Sequence, residues 1–380
     1  MRSGRRRVLT ECTGRHEKLV AIPEATLAST RNLKSATALC RGRYSGLAIA
    51  GVLVALACLL SCRRSSEASR DATITVYGFS VAKEPIEKDI FPAFSEEWLQ
   101  KTGQKLSLST SFAASEIVTN QILSGVDVDI AILAIERNAT RLREGAATKS
   151  DWHQLPYGGI VNRTPMVIVV RKGNPKRIRD FPDLARPGVR LIHPDPISSG
   201  AGQWGLLAVY GSELIKSERR AGRRDETKAF EVLRGVWKNV IATPGAAREA
   251  RTQFERGEGD ALVTYELEAL QLFDKKTECE MIAPTATVFS ELPVVIIDHG
   301  MSPAKYALVE LFARYLWSET AQKAWVKSYF RSVTDEKLND AEPRFAKITM
   351  PFTVADLGGW QRAYPEIVEG VWKQRIQNVK

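Results

Sequence analysis

The sequence predicts an α/β protein whose folded part is divided into two lobes. From residue 73 onward, short apolar segments alternate with amphipathic segments of helical length, which is the pattern of strand–helix units. Residues 128–134 are almost continuously apolar, as is typical of a parallel strand covered on both faces. The chain has 380 residues, and at roughly 100–200 residues per domain this length predicts two globular units.

The predicted elements follow one another along the chain. Strands are predicted at 73–78, 105–109, 128–134, 166–170, 189–193 and 261–265. Helices are predicted at 84–102, where Pro92 interrupts the pattern, at 115–123, after 199, and at 227–238, 246–255, 303–317 and 319–329. The apolar content of 44% is enough to bury cores around these elements, which excludes a wholly disordered chain.

The formal net charge of +10 is concentrated at the N-terminus. Residues 1–61 carry ten of the 54 basic residues and three of the 44 acidic ones, so the rest of the chain has a net charge of only +3. Binding to nucleic-acid phosphates needs a basic face on the folded part. The sequence therefore predicts no nucleic-acid partner.

Residues 1–61 are predicted to be a lipoprotein leader with a long N-terminal extension. The apolar run at 47–60 is shorter than the roughly 20 residues that span a bilayer, and it fits a signal-peptide core. The run ends at Leu60-Ser61-Cys62, which resembles the bacterial lipobox. Cys62 is therefore predicted to be lipidated and to anchor the mature protein to a membrane of the periplasm or cell envelope, with 62–72 as a tether. An uncleaved anchor helix and processing at Cys58 are the alternatives.

Catalytic and metal-binding patterns are weak in this sequence. Cleavage of the leader before Cys62 would remove three of the five cysteines, and lipidation would use Cys62. Cys279 would then be the one free thiol, so neither a disulfide framework nor a zinc site is predicted. Nucleophile-elbow, phosphate-loop and HExxH motifs do not occur. His193, Asp195 and Ser198 are close in sequence, which says little about the geometry of a triad. We predict a protein without catalysis or cofactors, with a secreted hydrolase as the enzyme alternative.

Four junctions between a strand and the next helix are rich in small residues. They are residues 78–80, 111–115, 196–202 and 244–247. Small residues let a ligand approach the backbone, and the first N–H groups of a helix lack intrahelical partners, so such junctions bind anions. Ordinary N-capping by serine explains each junction taken alone. Together they suggest an anion site at the carboxyl ends of the strands.

Several segments between residues 73 and 365 carry the motifs of one family. They are VRKGNPK at 170–176 with DL at 183–184, PGV at 187–189 with PDPISSG at 194–200, FERGEGD at 254–260 with ELEAL at 266–270, FR at 330–331 and GGW at 358–360. Taken together, these motifs resemble the periplasmic sulfate-binding proteins that deliver substrate to ABC importers. The resemblance implies sulfate or a similar oxyanion as ligand and the permease subunits of an importer as partners.

The resemblance also implies a periplasmic-binding-protein fold of type II, with two lobes that close at a hinge over a dehydrated oxyanion. Lobe 1 is predicted from 73–160 together with about 267–330, lobe 2 from 161–266, and a C-terminal helical segment that packs on the lobes from 331–380. Matching motif by motif gives the expected ligand-binding residues Ser80, Ser115, Gly200, Ala201, Ala246 and Tyr265. Ser115 would donate through its hydroxyl and its N–H. Tyr265 would donate through its hydroxyl where the family has an indole.

Glu116 replaces a glycine of the family and bears on which anion binds. Sulfate carries no proton at neutral pH, whereas phosphate keeps one, and burying that proton without an acceptor costs ~1–3 kcal/mol. A glutamate in a first helical turn is expected to point to solvent, which favours sulfate. If it faced the cleft, phosphate or a phosphonate would compete. Thiosulfate, molybdate and tungstate are further alternatives, and a ferric-ion receptor is disfavoured because the sequence has no Tyr-Tyr pair.

Overall fold

A mixed sheet of ten strands with helices on its faces organises residues 72–378, the part of the chain that the computed structural model describes. The strands are β1 (Ala72–Phe79), β2 (Leu106–Ala113), β3 (Ile130–Ile132), β4 (Ile160–Arg171), β5 (Leu191–Ile192), β6 (Val240–Ala242), β7 (Ala261–Tyr265), β8 (Cys279–Ile282), β9 (Ala286–Ile296) and β10 (Met350–Phe352). The predicted leader at 1–61, Cys62 and the tether up to residue 71 lie outside the described residues.

Most of the helices follow the strands in alternation. They are α1 (Phe91–Thr102), α2 (Ser115–Leu123), α3 (Glu136–Glu144), α4 (Gly200–Ala221), α5 (Glu226–Lys238), α6 (Ala247–Glu255), α7 (Glu266–Asp274), α8 (Pro303–Tyr315), α9 (Glu319–Lys327), α10 (Glu336–Asp340) and α11 (Trp360–Ala363). Pro92 is the second residue of α1, and a helical path through Lys83–Pro85 and the wider π-helical turn Ile86–Ile90 leads into it. The proline therefore marks a change in helix type and does not end the helical path. No described helix is long and apolar enough to cross a membrane.

The strand order β2-β1-β3-β9-β4-β7-β5-β6 divides the sheet into two parts. We call the part containing β1, β2 and β3, with α1 to α3, the first lobe. We call the part containing β5, β6, β7 and β8, with α4 to α7, the second lobe. Parallel pairing joins β1 to β2 and β3 in the first lobe, and β5 to β6 and β7 in the second.

Two long strands connect the lobes. β4 pairs with β9 through residues 160–165 and with β7 and β8 through 166–171. β9 in turn reaches β3 through Val294–Ile296. Strand β8 and all but the first residue of helix α7 fall within the range 267–330 predicted for lobe 1, but both contact β4 in the second lobe. The bounds of the lobes along the chain stay a prediction.

Each lobe has its own hydrophobic core on one face of the sheet. In the first lobe, Val118 and Ile122 of α2 pack with Leu133 and Leu142. In the second lobe, Val167 of β4 packs with α6 and β7. A larger core shared by both lobes covers the other face. The apolar residues of the central strands β3, β4 and β7 are buried on both faces, as their near-continuous apolar sequence predicts.

The C-terminal residues pack on the second lobe through aromatic contacts. The rings of Trp360 and Trp204 of α4 meet edge to face with centroids 4.7 Å apart, and those of Trp372 and Trp237 of α5 are 5.1 Å apart. The segment predicted as helical from residue 331 also contributes strand β10, which pairs with β9.

Candidate functional site

A small cavity lies between the two lobes, at the ends of strands and the beginnings of helices. Only about 10 Å³ of it is open to the centre of a water-sized sphere, far below the roughly 300–1,000 Å³ of pockets for drug-sized ligands. Its lining consists of Phe79, Ser80, Ala113, Ala114, Ser115, Ala134, Ser199, Gly200, Ala201, Ala246, Ala247 and Tyr265. All six residues predicted from the sequence are in this lining.

Three helix N-termini converge on the cavity. Ser115 is the first residue of α2, Gly200 and Ala201 are the first two of α4, and Ala246 directly precedes α6. Ser80 begins a short helical turn after β1. The first N–H groups of each helix have no intrahelical partner and lie at the positive end of the helix dipole. The cavity therefore collects backbone donors from both lobes, as an anion site requires.

Ser115 can add a hydroxyl donor. Its side chain is buried, and its Oγ accepts a hydrogen bond from the N–H of Ala134 at 3.2 Å. A serine hydroxyl has one hydrogen and two acceptor lone pairs. Because Ala134 uses an acceptor lone pair, the hydrogen of the Ser115 hydroxyl is free to point at a ligand.

Tyr265 contributes a second hydroxyl. It is the last residue of β7, it is 0% exposed, and its hydroxyl has no hydrogen-bond partner among the described residues. Burial raises the pKa of the Tyr265 hydroxyl well above 10, so the group keeps its proton at any physiological pH. An unpartnered buried donor costs ~1–3 kcal/mol, and a bound acceptor would remove that cost.

The lining contains no Asp, Glu, His, Lys or Arg side chain. Glu116 follows Ser115 but turns away from the cavity. One of its oxygens accepts from Arg137 at 3.1 Å and from Gln203 at 3.2 Å, and the other accepts from Arg141. The expectation that Glu116 points to solvent is therefore wrong. The side chain is only 12% exposed because these partners, mainly from α3, enclose it.

The two lobes contact each other directly around the cavity. Trp204 of α4 donates its indole N–H to the carbonyl of Ala134 at 2.7 Å, and the N–H of Glu116 donates to the carbonyl of Ser198 at 3.3 Å. Gly200 permits this approach, since a Cβ at residue 200 would lie 2.5 Å from the Cβ of Ala134. The arrangement is that of lobes closed over a small enclosed space.

Ser199 lines the cavity although it was not among the predicted ligand-binding residues. It is 3% exposed and directly precedes Gly200 at the start of α4. Its neighbour Ser198 instead donates to Asp195 at 2.9 Å and to the carbonyl of Gly245 at 3.0 Å. Ser198 and Ser199 are adjacent small residues in the same predicted junction, so the sequence does not distinguish them. The structure shows that Ser199 faces the cavity.

The arrangement of His193, Asp195 and Ser198 is not that of a catalytic triad. The Ser198 hydroxyl donates to Asp195 rather than to a histidine. The His193 ring lies in the core, with Nδ1 2.7 Å from the carbonyl oxygen of Pro194, and burial lowers its pKa to about 4. These contacts hold the loop that precedes α4 and give no activated nucleophile.

Comparisons with known proteins identify the family of this chain. The family model described as "Bacterial extracellular solute-binding protein" matches residues 74–331. A sulfate-binding protein of Synechococcus elongatus is 30% identical over 342 residues, which is 88% of this chain and 95% of the relative. A sulfate-binding protein of Escherichia coli is 31% identical over 280 residues, or 72% of this chain and 83% of the relative.

A solved structure shows the same fold. The sulfate-binding protein SubI of Mycobacterium tuberculosis superposes with a TM-score of 0.69 at 29% identity, covering 78% of this chain and 99% of SubI. The prediction of a two-lobed periplasmic-binding-protein fold of type II is confirmed. The prediction of a binding protein rather than an enzyme agrees with these relatives, which are named as binding proteins. The chain belongs to the sulfate-binding family of the bacterial extracellular solute-binding proteins.

Proposed function

We propose that this protein is an extracytoplasmic receptor that binds sulfate in the cavity between its lobes and delivers it to an ABC importer. The observation that carries the proposal is a small cavity lined by helix N-termini and by the unpartnered hydroxyl of Tyr265, with no ionisable carboxylate or cation in its lining. The relatives named as sulfate-binding proteins support the same ligand.

Neutral donors suit a fully deprotonated oxyanion. All oxygens of sulfate accept hydrogen bonds, so the N–H groups of Ser80, Ser115, Gly200, Ala201 and Ala246 would each find an acceptor. Charge-assisted hydrogen bonds of this kind are worth ~1.5–3 kcal/mol each. Hydroxyl groups of Ser115, Ser199 and Tyr265 would complete the shell.

Phosphate fits the cavity less well because the lining offers no carboxylate for its proton. Glu116, the candidate acceptor, is held by Arg137 and Arg141. A ferric ion is also disfavoured, since the lining has one tyrosine and no carboxylate. Thiosulfate and molybdate share the charge and tetrahedral shape of sulfate, so their relative affinities are outcomes of the test below.

Titration calorimetry with sulfate, thiosulfate, molybdate and phosphate tests the proposed ligand. We expect sulfate to bind far more tightly than phosphate, with little change in affinity between pH 6 and 8 because no group in the lining titrates there. Binding of phosphate alone, or hydrolysis of esters without binding of any inorganic anion, would contradict the proposal.

Removing either side-chain donor should weaken sulfate binding. Tyr265→Phe and Ser115→Ala each delete a hydroxyl that faces a buried charge, so each should cost ~1.5–3 kcal/mol, about tenfold to a hundredfold in affinity. Tyr157→Phe is the matched control, because the Tyr157 side chain is 55% exposed and far from the lining. Unchanged affinity in both donor variants would show that the proposed site is wrong.

Closure of the lobes is part of the proposed function. Donors come from both lobes, so only the closed form makes all of the hydrogen bonds to the anion. Small-angle scattering should show a smaller radius of gyration with saturating sulfate than without it. Equal radii would argue against a hinge motion.

We further propose that the receptor is held at the membrane by a lipid on Cys62 and meets the permease subunits of the importer there. The support is the apolar run ending at Leu60-Ser61-Cys62, followed by a polar tether. Mass spectrometry of the native protein should show an N-terminal lipid on Cys62, and Cys62→Ala should accumulate unprocessed precursor. Normal, lipid-free processing of that variant would contradict the anchor.

A further inference from the structure

Two segments of the second lobe concentrate the basic charge of the folded part. Residues 171–190 and 216–228 together hold thirteen Lys and Arg against five Asp and Glu, which is a net charge of +8. All residues after 61 have a net charge of only +3, so those outside the two segments sum to −5. The small total therefore hides a strongly uneven distribution of charge.

Both segments lie at the end of the second lobe that is remote from the cavity. The first segment begins where β4 ends, and β4 runs antiparallel to β7, so this end lies opposite to Tyr265. The second segment surrounds the end of α4, about 32 Å along the helix from Gly200. The Lys216 ammonium donates to Asp180 at 3.1 Å and joins the segments. We call their combined surface the basic pole.

About half of the cations in the basic pole are not neutralised by the protein. Six exposed arginines form no ion pair within the part of the chain that the structure describes: Arg177, Arg179, Arg190, Arg219, Arg220 and Arg223. The other basic side chains donate to carboxylates or carbonyl groups of the protein: Arg171, Lys172, Lys176, Arg186, Lys216, Arg224 and Lys228. The fork of an unpaired guanidinium matches the oxygens of a phosphate group.

The chemistry of the basic pole suits lipid phosphates better than nucleic acid. Phe181 is the one aromatic residue in the two segments, and it is 0% exposed, so no ring is available for stacking on bases. A bilayer with anionic lipids presents phosphates at its surface and attracts clusters of Lys and Arg. The proposed tether of residues 62–71 spans at most about 36 Å, so it would keep the folded part close to such a surface.

We propose that the basic pole docks on a bilayer that contains anionic phospholipids, so that the second lobe contacts the membrane independently of the lipid on Cys62. This inference rests on the proposed anchor and not on which anion the cavity binds. The tether joins β1 at Ala72, about 23 Å along the strand from Phe79 in the lining. Anchor and pole would thus hold the remote ends of both lobes, and the headgroups need not approach the cavity.

Headgroup quenching of the lipidated protein is the decisive experiment. A fluorophore on Ala221→Cys, in a Cys279→Ser background, reports contact of the exposed end of α4 with nitroxide-labelled headgroups. We expect quenching on vesicles of phosphatidylcholine mixed with phosphatidylglycerol, and none on phosphatidylcholine alone. Quenching should also disappear in about 1 M NaCl, where charges are screened beyond about 3 Å.

Variants with matched losses of charge show whether the basic pole itself is responsible. In Arg219→Gln/Arg220→Gln/Arg223→Gln, the ratio of docked to undocked protein should fall by more than about tenfold. The control Lys88→Gln/Lys105→Gln/Lys149→Gln removes three charges from exposed lysines outside the pole and should dock like the wild type. An equal loss in both triple variants would overturn the proposal, since net charge alone would then explain docking.

Failure of the anchor and failure of the pole give different results. Lipidated protein should float with the neutral vesicles although its fluorophore is not quenched. If it does not float with them, the anchor is wrong, and flotation with the anionic vesicles alone decides the role of the pole. Wild-type protein that is not quenched on anionic vesicles, that is quenched equally on neutral ones, or that leaves the anionic vesicles for a DNA duplex would overturn the proposal.

Discussion

The first turns of α2 and α6 both carry a charged side chain beside the anion cavity, and the two charges are neutralised differently. Glu116 of α2 pairs with Arg137 and Arg141 of α3, so its main partners lie in its own lobe. Arg248 of α6 pairs with Glu84 of the opposite lobe. In both cases an oppositely charged side chain of the protein neutralises the charge. The lining of the cavity therefore contains neutral donors only.

This difference separates two tasks that neighbouring charges can perform. The Glu116 cluster is complete within the first lobe apart from its contact with Gln203, so opening the lobes leaves its ion pairs intact. The Arg248 pair exists only when the lobes are closed. Pairing of Glu116 within its own lobe keeps this carboxylate away from the proposed anion. Pairing of Arg248 with Glu84 across the cleft couples the ion pair to closure of the lobes.

The largest effect is expected from Gly200→Ala, which should prevent closure itself. The added Cβ would lie 2.5 Å from the Cβ of Ala134, closer than such atoms approach, so the lobes could not meet. Sulfate affinity should fall by more than about a hundredfold in titration calorimetry, since the open form lacks half of the donors.

Gly235→Ala is the matched control for that variant. Its Cβ would lie 2.7 Å from the Cβ of Ala185, a comparable clash that lies away from the cavity. We expect a lower melting temperature with little change in sulfate affinity. A loss of affinity as large as that of Gly200→Ala would mean that general destabilisation, rather than blocked closure, explains both.

An intermediate effect is expected from acid. The pKa of Glu84 is lowered in the folded, closed protein, so its contribution is fully present above its ordinary value of 4.5 and is lost as the pH falls through the lowered value. The dissociation rate of sulfate should be constant from pH 8 to 5 and rise by up to about fivefold below that range, because a partly exposed ion pair is worth at most ~1 kcal/mol.

The double variant Glu84→Gln/Arg248→Gln is the control for acid, because it has no carboxylate to protonate at residue 84. Its dissociation rate should already be high at pH 7 and should not rise further through the loss of this pair. A steep rise in the wild type between pH 7 and 5 would contradict the assignment to Glu84.

The smallest effect is expected from Glu116→Gln. The side chain does not line the cavity, and the arginines that it would leave behind are 26% exposed, where water screens their charge. Sulfate affinity should change by less than about threefold, and phosphate should still bind poorly. A clear gain or loss of phosphate binding in calorimetry would show that Glu116 reaches the ligand.

The sequence was informative about the site because most of the proposed donors are backbone N–H groups at helix N-termini. Small residues at the ends of strands mark Gly200, Ala201 and Ala246, and the spacing of family motifs adds Tyr265. Local sequence carries this signal, since a helix N-terminus is formed by consecutive residues. The structure brings all six predicted residues to one cavity, and their role in binding stays a prediction.

The contacts made by charged side chains could not be predicted in the same way. Glu116 finds Arg137 and Arg141 on another helix, and Arg248 finds Glu84 only after the sheet has brought β1 beside α6. Strand β9 was also not predicted, because Pro293 and the polar residues Ser290 and Glu291 interrupt its apolar pattern. Pairing with β3 on one side and β4 on the other stabilises β9 as a strand, although its local sequence does not indicate one.

The shared strand β9 has a consequence for how this protein is made. Ile130 of β3 lies between β1 and Ile296 of β9, so the sheet of the first lobe is incomplete until the ribosome has passed residue 296. Contacts between residues so far apart in sequence form late, and proteins rich in such contacts fold slowly. We therefore expect the first lobe to complete its sheet only after most of the chain has been synthesised, which leaves time for a channel to translocate the unfolded polypeptide. The pairing that unites the lobes is thus expected to favour export before folding.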